Sequence, residues 1–118
     1  MADLDITEHV AEGNVHVFSL SGDVDFDVAP ELKRRIITRI DAGDRNLVVD
    51  LSAAGFVDST AIGVIVGALK RLNMLGGSLA VVCDNDAVRG IFQIVGLENV
   101  IPLHHSEEHA LAGLAPTA

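Results

Sequence analysis

The stretch that decides the fold is residues 47–67, which read LVVDLSAAGFVDSTAIGVIVG. It opens with a short aliphatic run, typical of a buried strand, and closes with a longer apolar run that suits a buried helix. Between the two runs stands the triplet Asp58-Ser59-Thr60. Because these three residue types are favoured at helix N-caps, the stretch predicts a strand followed by a helix that begins near Ser59.

The triplet also allows a second role, because a hydroxyl in the first turn of a helix faces backbone N–H groups that lack an intrahelical partner. A phosphate on that hydroxyl would meet these donors and the positive end of the helix dipole, so the fold would tolerate it. Its charge of about −1.5 to −2 would transform the outer surface. The local pattern leaves two roles open, a helix cap and a regulatory hydroxyl.

Length and composition predict one domain that spans residues 1–118 and needs no disulfide. Hydrophobic residues make up 49% of the chain and aromatic residues only 3%, so we expect an aliphatic core, as in a sheet covered by helices. The single cysteine, Cys83, fits a reducing compartment and a buried packing role.

The balance of charge leaves two roles open for the acidic surface, binding of a basic protein partner and simple solubility. The net charge is −9, and Lys33 and Lys70 are the only lysines. Nucleic-acid binding requires clustered basic residues, so no nucleic acid is expected, whereas a basic protein surface fits the charge. Residues 1–10 are unlike a signal peptide, and the charge-poor run 51–69 is too polar for a membrane span. A cytoplasmic, soluble protein without membrane insertion is predicted.

Hydrophobic periodicity and turn residues predict the secondary structure. The first two strands form a hairpin around Glu12-Gly13-Asn14, Pro30 marks the start of the first helix, and Gly76-Gly77 ends the second as a C-cap. In chain order the predicted elements are strands 4–7 and 15–20, a helix from about 30 to 41, strand 46–51, helix 59–74, strand 78–83, helix 86–96, strand 100–101 and helix 106–114.

This order of elements predicts an α/β fold. Strands that alternate with helices pair in parallel through right-handed crossovers, and the hairpin adds an antiparallel pair. We therefore expect a mixed, mainly parallel sheet of about five strands, with about four helices and an N-terminal β-hairpin. Gly63 and Gly67 lie four residues apart in the second helix, and we expect them to let that helix pack closely on the sheet.

Several motifs lie in a fixed order along the chain. Residues 22–25 (GDVD) follow the second strand, residues 47–51 form the central strand, and residues 56–60 (FVDST) form the loop before the helix. Residues 76–79 (GGSL) precede the next strand, and residues 91–97 (IFQIVGL) end the third helix. In this order and spacing, essentially the whole chain resembles a STAS domain of the anti-sigma-factor antagonist (anti-anti-sigma factor) family.

The resemblance implies a partner-switching function. In this family the unphosphorylated antagonist binds an anti-sigma factor that is also a serine kinase, and the sigma factor is released. Phosphorylation of the loop serine ends that binding, and a serine phosphatase resets the cycle. By this resemblance Ser59 is the phosphorylation site, and Asp27 adds to an acidic rim that suits arginines of a partner. The implied partner-binding residues are Asp23, Asp25, Asp58, Ser59 and Thr60.

One residue departs from the family pattern, because Ala61 stands where the family usually has glycine. Alanine favours the helix but allows less backbone freedom and a less close backbone approach. We therefore expect kinase recognition to be altered, while the acceptor serine itself is present.

Two alternative functions stay open. STAS-like domains also serve as subunits of lipid-transport complexes and as regulatory modules of anion transporters. A receiver domain, phosphorylated on aspartate, would use Asp50 at the end of the central strand. That chemistry also needs an acid pair, Mg²⁺ and a lysine at a strand end, whereas Lys33 and Lys70 fall in predicted helices.

His105, directly before the last predicted helix, and His109, within it, are four residues apart, which is the spacing of a metal-binding pair. Ser106 at a cap position favours an ordinary exposed helix start, so no metal is expected. The sequence contains neither an arranged Ser-His-Asp triad nor a phosphate-binding glycine loop. The protein is therefore expected to be the substrate of an enzyme and not an enzyme itself, and to need no cofactor.

Overall fold

The aliphatic runs of the sequence form a five-stranded sheet. The computed structural model describes residues 6–97 and 99–114, so the first two residues of the predicted strand 4–7 lie outside it. The first two strands pair antiparallel, and all other neighbours pair in parallel, which confirms the predicted mixed sheet with its N-terminal hairpin. In spatial order the strands are β1 (Ile6–Ala11), β2 (Val15–Val24), β3 (Asn46–Val57), β4 (Ser78–Val82) and β5 (Leu103–His104).

Four helices occur within the described residues, and three of them, α2, α3 and α4, begin at a polar side-chain cap. Asn85 accepts a hydrogen bond from the N–H of Ala87 at 2.8 Å, and Ser106 accepts one from the N–H of His109 at 3.1 Å. None of the helices in this part of the chain has the length and apolar character needed to cross a bilayer. They are α1 (Ala29–Asp41), α2 (Ser59–Met74), α3 (Asp86–Ile94) and α4 (Glu107–Gly113).

The helices cover both faces of the sheet. On β3, Leu47 and Val49 point into the main core beneath α1, α2 and α3, whereas Val48 points into a smaller core beneath α4. Cys83 is fully buried in the main core, and burial raises the pKa of its thiol, as expected for a packing residue. This confirms the predicted α/β architecture with an aliphatic core.

Gly77, between α2 and β4, occupies a position that admits no side chain. A Cβ at this residue would lie 2.1 Å from the carbonyl oxygen of Arg45. That oxygen already accepts a hydrogen bond from the N–H of Ser78 at 2.8 Å, and the N–H of Gly77 donates to Leu72 at 2.7 Å. The turn that leads from α2 into β4 therefore depends on glycine, in agreement with the predicted helix end.

The strands β2 and β3 run further than the sequence predicted. The predicted ends were residues 20 and 51, but the strands continue to Val24 and Val57 because each satisfies the backbone groups of the other. Asp23 therefore lies in a strand, and not in a turn after it.

The predicted last strand at 100–101 is wrong. The backbone N–H groups of Val100 and Ile101 both donate to the carbonyl oxygen of Leu97 at 2.9 Å, so they are unavailable to a neighbouring strand. The side chain of Ile101 packs into the main core, and β5 begins only after Pro102.

The prediction that Gly63 and Gly67 pack against the sheet is also wrong. Both are exposed, and a Cβ at either position would meet no atom within 4 Å. They face a groove between α1 and α2 instead. The face of α2 that packs on the sheet carries larger side chains, among them Ile62, Ile65, Leu69 and Leu72.

Candidate phosphorylation and partner-binding site

Asp58, and not Ser59, caps α2. Its backbone is extended, with φ −95° and ψ 175°, and its carboxylate accepts a hydrogen bond from the N–H of Ala61 at 3.0 Å. Its carbonyl oxygen accepts the N–H of Ile62 at 3.1 Å. The capping role that the triplet predicted therefore falls to the aspartate, and the hydroxyl of Ser59 is not needed for it.

Ser59 and Thr60 form the first turn of α2, and both are exposed. The hydroxyl of Ser59 is therefore accessible from solvent at the positive end of the helix dipole. Ala61, by contrast, is fully buried, so its methyl group packs inward. The methyl group is therefore not part of the surface that a kinase would contact. The expected change in kinase recognition concerns the backbone at this residue and stays a prediction.

The end of β2 lies directly beside the start of α2. Val24 pairs with Val57, and the N–H of Asp58 donates to the carbonyl oxygen of Val24 at 3.1 Å. Asp23 and Asp25 flank Val24 in the chain, so they lie next to Asp58 at the carboxyl ends of the strands. The structure thus brings together three of the four aspartates that the sequence singled out.

Asp25 also organises the start of α1. Its carbonyl oxygen accepts the N–H groups of Val28 and Ala29 at 3.0 and 2.8 Å, and its carboxylate accepts the N–H of Asp27 at 3.0 Å. Asp25 is half-buried, whereas its neighbours Asp23 and Asp27 are exposed. With Asp58, these three residues form an acidic edge, which consists of Asp23, Asp25, Asp27 and Asp58.

Two exposed phenylalanines accompany the acidic edge. Phe26 follows Asp25 in the loop before α1 and is 66% exposed, and Phe56 pairs with Asp23 across the strands and is 47% exposed. The two other phenylalanines, Phe18 and Phe92, are fully buried. No feature of the sequence predicted a binding role for Phe26 or Phe56. The small number of aromatic residues makes each of them noticeable in the sequence, but it does not show which are exposed in the fold.

The structure does not support a receiver-type site. Asp50 lies within β3 and not at its end, and its carboxylate accepts the N–H of Ser52 at 2.9 Å. Lys33 lies in α1 and Lys70 in α2, as the sequence predicted, so neither is at the end of a strand. The carboxylate of Asp50 therefore has a local structural role, because it binds the backbone two residues further along the same strand.

The histidines near the C-terminal helix are engaged locally. Nδ1 of His105 lies 3.4 Å from the carboxylate of Asp84, and Nδ1 of His109 lies 3.1 Å from the hydroxyl of Ser106. The pKa of His104 is lowered, mainly by burial and to a smaller extent by the nearby His109. Within residues 6–97 and 99–114, no group of three or more histidine, cysteine, aspartate or glutamate side chains could hold a metal ion.

The fold and the order of motifs match a known class of domain. The family model described as the STAS domain matches residues 7–110. The chain therefore belongs to the STAS domain family, which confirms the resemblance seen in the sequence.

Individual relatives add detail to this classification. An anti-sigma-B factor antagonist of Staphylococcus aureus (strain NCTC 8325 / PS 47) is 27% identical over 101 residues, covering 86% of this chain and 94% of that protein. The crystal structure of an anti-sigma factor antagonist from Mycobacterium paratuberculosis is 27% identical, with a TM-score of 0.86 and coverage of 95% and 94%. A putative anti-sigma factor antagonist from Thermotoga maritima, 20% identical, shares the fold with a TM-score of 0.84 over 91% and 92% of the two chains.

Proposed function

We propose that this chain is an anti-sigma factor antagonist that works by partner switching. Its unphosphorylated form binds an anti-sigma factor with serine kinase activity, which releases the sigma factor. Phosphorylation of Ser59 ends the binding, and a serine phosphatase restores it. The observation that carries the proposal is that Ser59, at the start of α2, is exposed and does not cap the helix, because Asp58 provides the cap. The names of the two relatives at 27% identity support the antagonist function.

The position of Ser59 suits a phosphate in the free protein. A dianion at the first turn of α2 is stabilised by the helix dipole and by N–H groups of that turn, although the carboxylate of Asp58 opposes it. The hydrogen bond from Ala61 to Asp58 does not involve the modified oxygen, so the helix start is kept. Phosphorylation is therefore expected to leave the domain folded and to act on its surface.

The surface around Ser59 suits a protein partner. In the described part of the chain, no aspartate of the acidic edge forms an ion pair. These carboxylates are free to accept hydrogen bonds from arginines of a partner. Phe26 and Phe56 supply apolar area at the same edge, and buried aromatic residues are frequent hot spots of binding. A complementary partner would present arginines around an apolar pocket.

The same surface explains why phosphorylation would end the binding. In the complex, the phosphate is placed among the carboxylates of the acidic edge and is removed from water, so repulsion and desolvation both act against it. In the free protein, water and the start of α2 compensate the charge. A loss of about 3 kcal/mol in the complex weakens binding more than about a hundredfold.

The proposal is tested first by capture from the native host. Full-length wild-type, Ser59→Ala and Ser59→Asp baits are compared, and captured proteins are identified by mass spectrometry. We expect an ATP-binding anti-sigma kinase on the wild-type and alanine baits and not on the aspartate bait. The purified kinase with ATP is then expected to modify the wild-type chain at Ser59 and to leave Ser59→Ala unmodified.

Calorimetry with the purified kinase gives the magnitude, with an affinity for Ser59→Asp more than about a hundredfold below that for Ser59→Ala. Asn73→Asp is the matched control, since it adds the same charge at an exposed position in the last turn of α2. It is expected to bind like the wild type. Equal affinities of Ser59→Ala and Ser59→Asp would refute the switch. Capture of transport-complex subunits alone would favour the lipid-transport or anion-transporter alternative.

A further inference from the structure

A groove lies between α1 and α2, beside the acidic edge, and Thr60 is the only residue of the proposed switch that lines it. It has a volume of about 330 Å³ and opens to solvent on the outer surface of the helical layer. Its walls are mainly apolar, with Ile37 and Ile40 on α1 and Val64 and Ala68 on α2. Apolar clefts of about 300 to 1,000 Å³ with a few placed polar groups are the usual form of small-molecule sites.

The groove is open because α2 carries glycine where its surface faces α1. Side chains at Gly63 and Gly67 would enter the groove, and a Cβ at either residue meets no atom within 4 Å. Glycine is unfavourable inside a helix, and the isolated fold does not require it at these two positions. The packing of the domain would therefore allow larger side chains at both positions, and the groove stays open only because they are glycine.

The two ends of the groove differ in charge. The two helices run in the same direction, since each connects neighbouring parallel strands of the sheet. Where the helices end, Arg71 donates to the carboxylate of Asp41 at 3.0 Å, and the two charges neutralise each other. Where they begin lie Thr60 and Lys33, and the ammonium of Lys33 forms no ion pair with any described residue.

We propose that this groove binds a medium-chain fatty acid such as dodecanoate, with the alkyl chain over Gly63 and Gly67 and the carboxylate at Lys33. The apolar walls suit the chain, and the unpaired ammonium near the positive end of α2 favours an anionic head group over a cationic one. Between Thr60 and Arg71 α2 rises about 16 Å, a length that suits an extended alkyl chain. This proposal is independent of the anti-sigma function.

The test is a titration of the isotope-labelled, full-length protein with sodium dodecanoate, below the concentration at which micelles form, followed by amide chemical shifts in NMR. We expect saturable shifts confined to the facing sides of α1 and α2. Dodecyltrimethylammonium, which has the same tail and the opposite head-group charge, is expected to bind about tenfold more weakly. Equal affinities for the two compounds, or shifts centred on the exposed Ile94 of α3, would overturn the proposal.

Two pairs of variants sharpen the test. Gly67→Leu fills the groove and is expected to lower dodecanoate affinity more than about tenfold. Gly90→Leu in α3, where a Cβ also meets no atom within 4 Å, is the matched control and should bind normally. Lys33→Glu should weaken dodecanoate binding about tenfold, whereas Lys70→Glu, the same charge change outside the groove lining, should not.

Unchanged dodecanoate binding by Gly67→Leu would exclude the groove as the site. The proposal would also be overturned if the wild-type protein did not bind dodecanoate. If Gly67→Leu then lost kinase binding as well, the groove would be assigned to a protein partner.

Discussion

The aspartates at the two ends of α1 and α2 differ in whether they are paired within the chain. At the end where α1 and α2 finish, charges are paired within the chain: Arg39 with Asp44 at 2.8 Å, and Arg71 with Asp41 at 3.0 Å. At the other end lies the acidic edge, whose carboxylates form no ion pair with described residues and whose neighbouring phenylalanines are exposed.

This difference separates stability from binding within one small domain. Polar groups at the paired end satisfy one another, as do the hydroxyl of Ser78 and the side-chain oxygen of Asn46, 2.8 Å apart. Carboxylates at the acidic edge keep their capacity to accept bonds from another molecule. Substitutions at the paired end are therefore expected to change the free energy of unfolding, and substitutions at the acidic edge to change affinity.

The largest expected effect is at the paired end. Gly77→Ala forces a methyl group against the carbonyl oxygen of Arg45, so either that backbone or the start of β4 must shift. We expect a loss of about 3 kcal/mol in the free energy of unfolding, measured by urea denaturation. Gly63→Ala is the matched control, and it should stabilise the protein by about 0.5 to 1 kcal/mol because its methyl group meets nothing. Equal stability of the two variants would show that the close approach at Gly77 is unimportant.

The next effect is at the acidic edge and concerns affinity. Phe56→Ala is expected to weaken binding of the captured kinase by about 2 kcal/mol, or about thirtyfold, because a half-exposed aromatic residue here is available to the partner. Its free energy of unfolding should change far less than that of Phe92→Ala, which empties a fully buried site. Ile94→Ala, at an 86% exposed position on α3, serves as the affinity control. A similar loss of affinity in both exposed variants would mean that the partner does not read this edge in particular.

The smallest effect separates the two roles of Asp58. Asp58→Ala removes the cap of α2 and is expected to cost about 1 kcal/mol of stability, whereas Asp58→Asn keeps a capping side chain and should be nearly as stable as the wild type. Kinase binding by Asp58→Asn should still fall several-fold, because a carboxylate that faces the partner has been lost. Thermal unfolding and calorimetry measure the two quantities. Wild-type affinity in the asparagine variant would limit Asp58 to capping.

The sequence predicted the parts of the fold that depend on local chemistry. The run of aliphatic residues at 47–51 and the triplet after it are sufficient to predict the strand and the start of α2. The pattern could not show that β3 continues to Val57, because that depends on backbone pairing with β2. Nor could it show that Val100 and Ile101 turn back to Leu97, since short apolar runs look alike in strands and in packed loops.

The candidate site was predictable to a similar extent. Asp58 and Ser59 stand out as polar residues between two apolar runs, whereas Asp23 and Asp25 were identified by the resemblance to the STAS family. Phe26 was not predictable as a surface residue, since whether an aromatic side chain is buried depends on the complete fold. The orientation of Gly63 and Gly67 was missed for the same reason, because the helical pattern does not show which small residues face a neighbouring helix.

The cap on α2 bears on how quickly the proposed switch can turn over. The bonds of Asp58 to Ala61 and to Val24 leave the hydroxyl of Ser59 uninvolved, so a phosphate can be attached or removed while both bonds persist. No segment has to unfold during the cycle, a step that would otherwise take microseconds to seconds. The tempo would then be set by the abundance of the kinase and phosphatase and by the lifetime of the complex. A cell could thus change its response time through the supply of those enzymes, without any change in this chain.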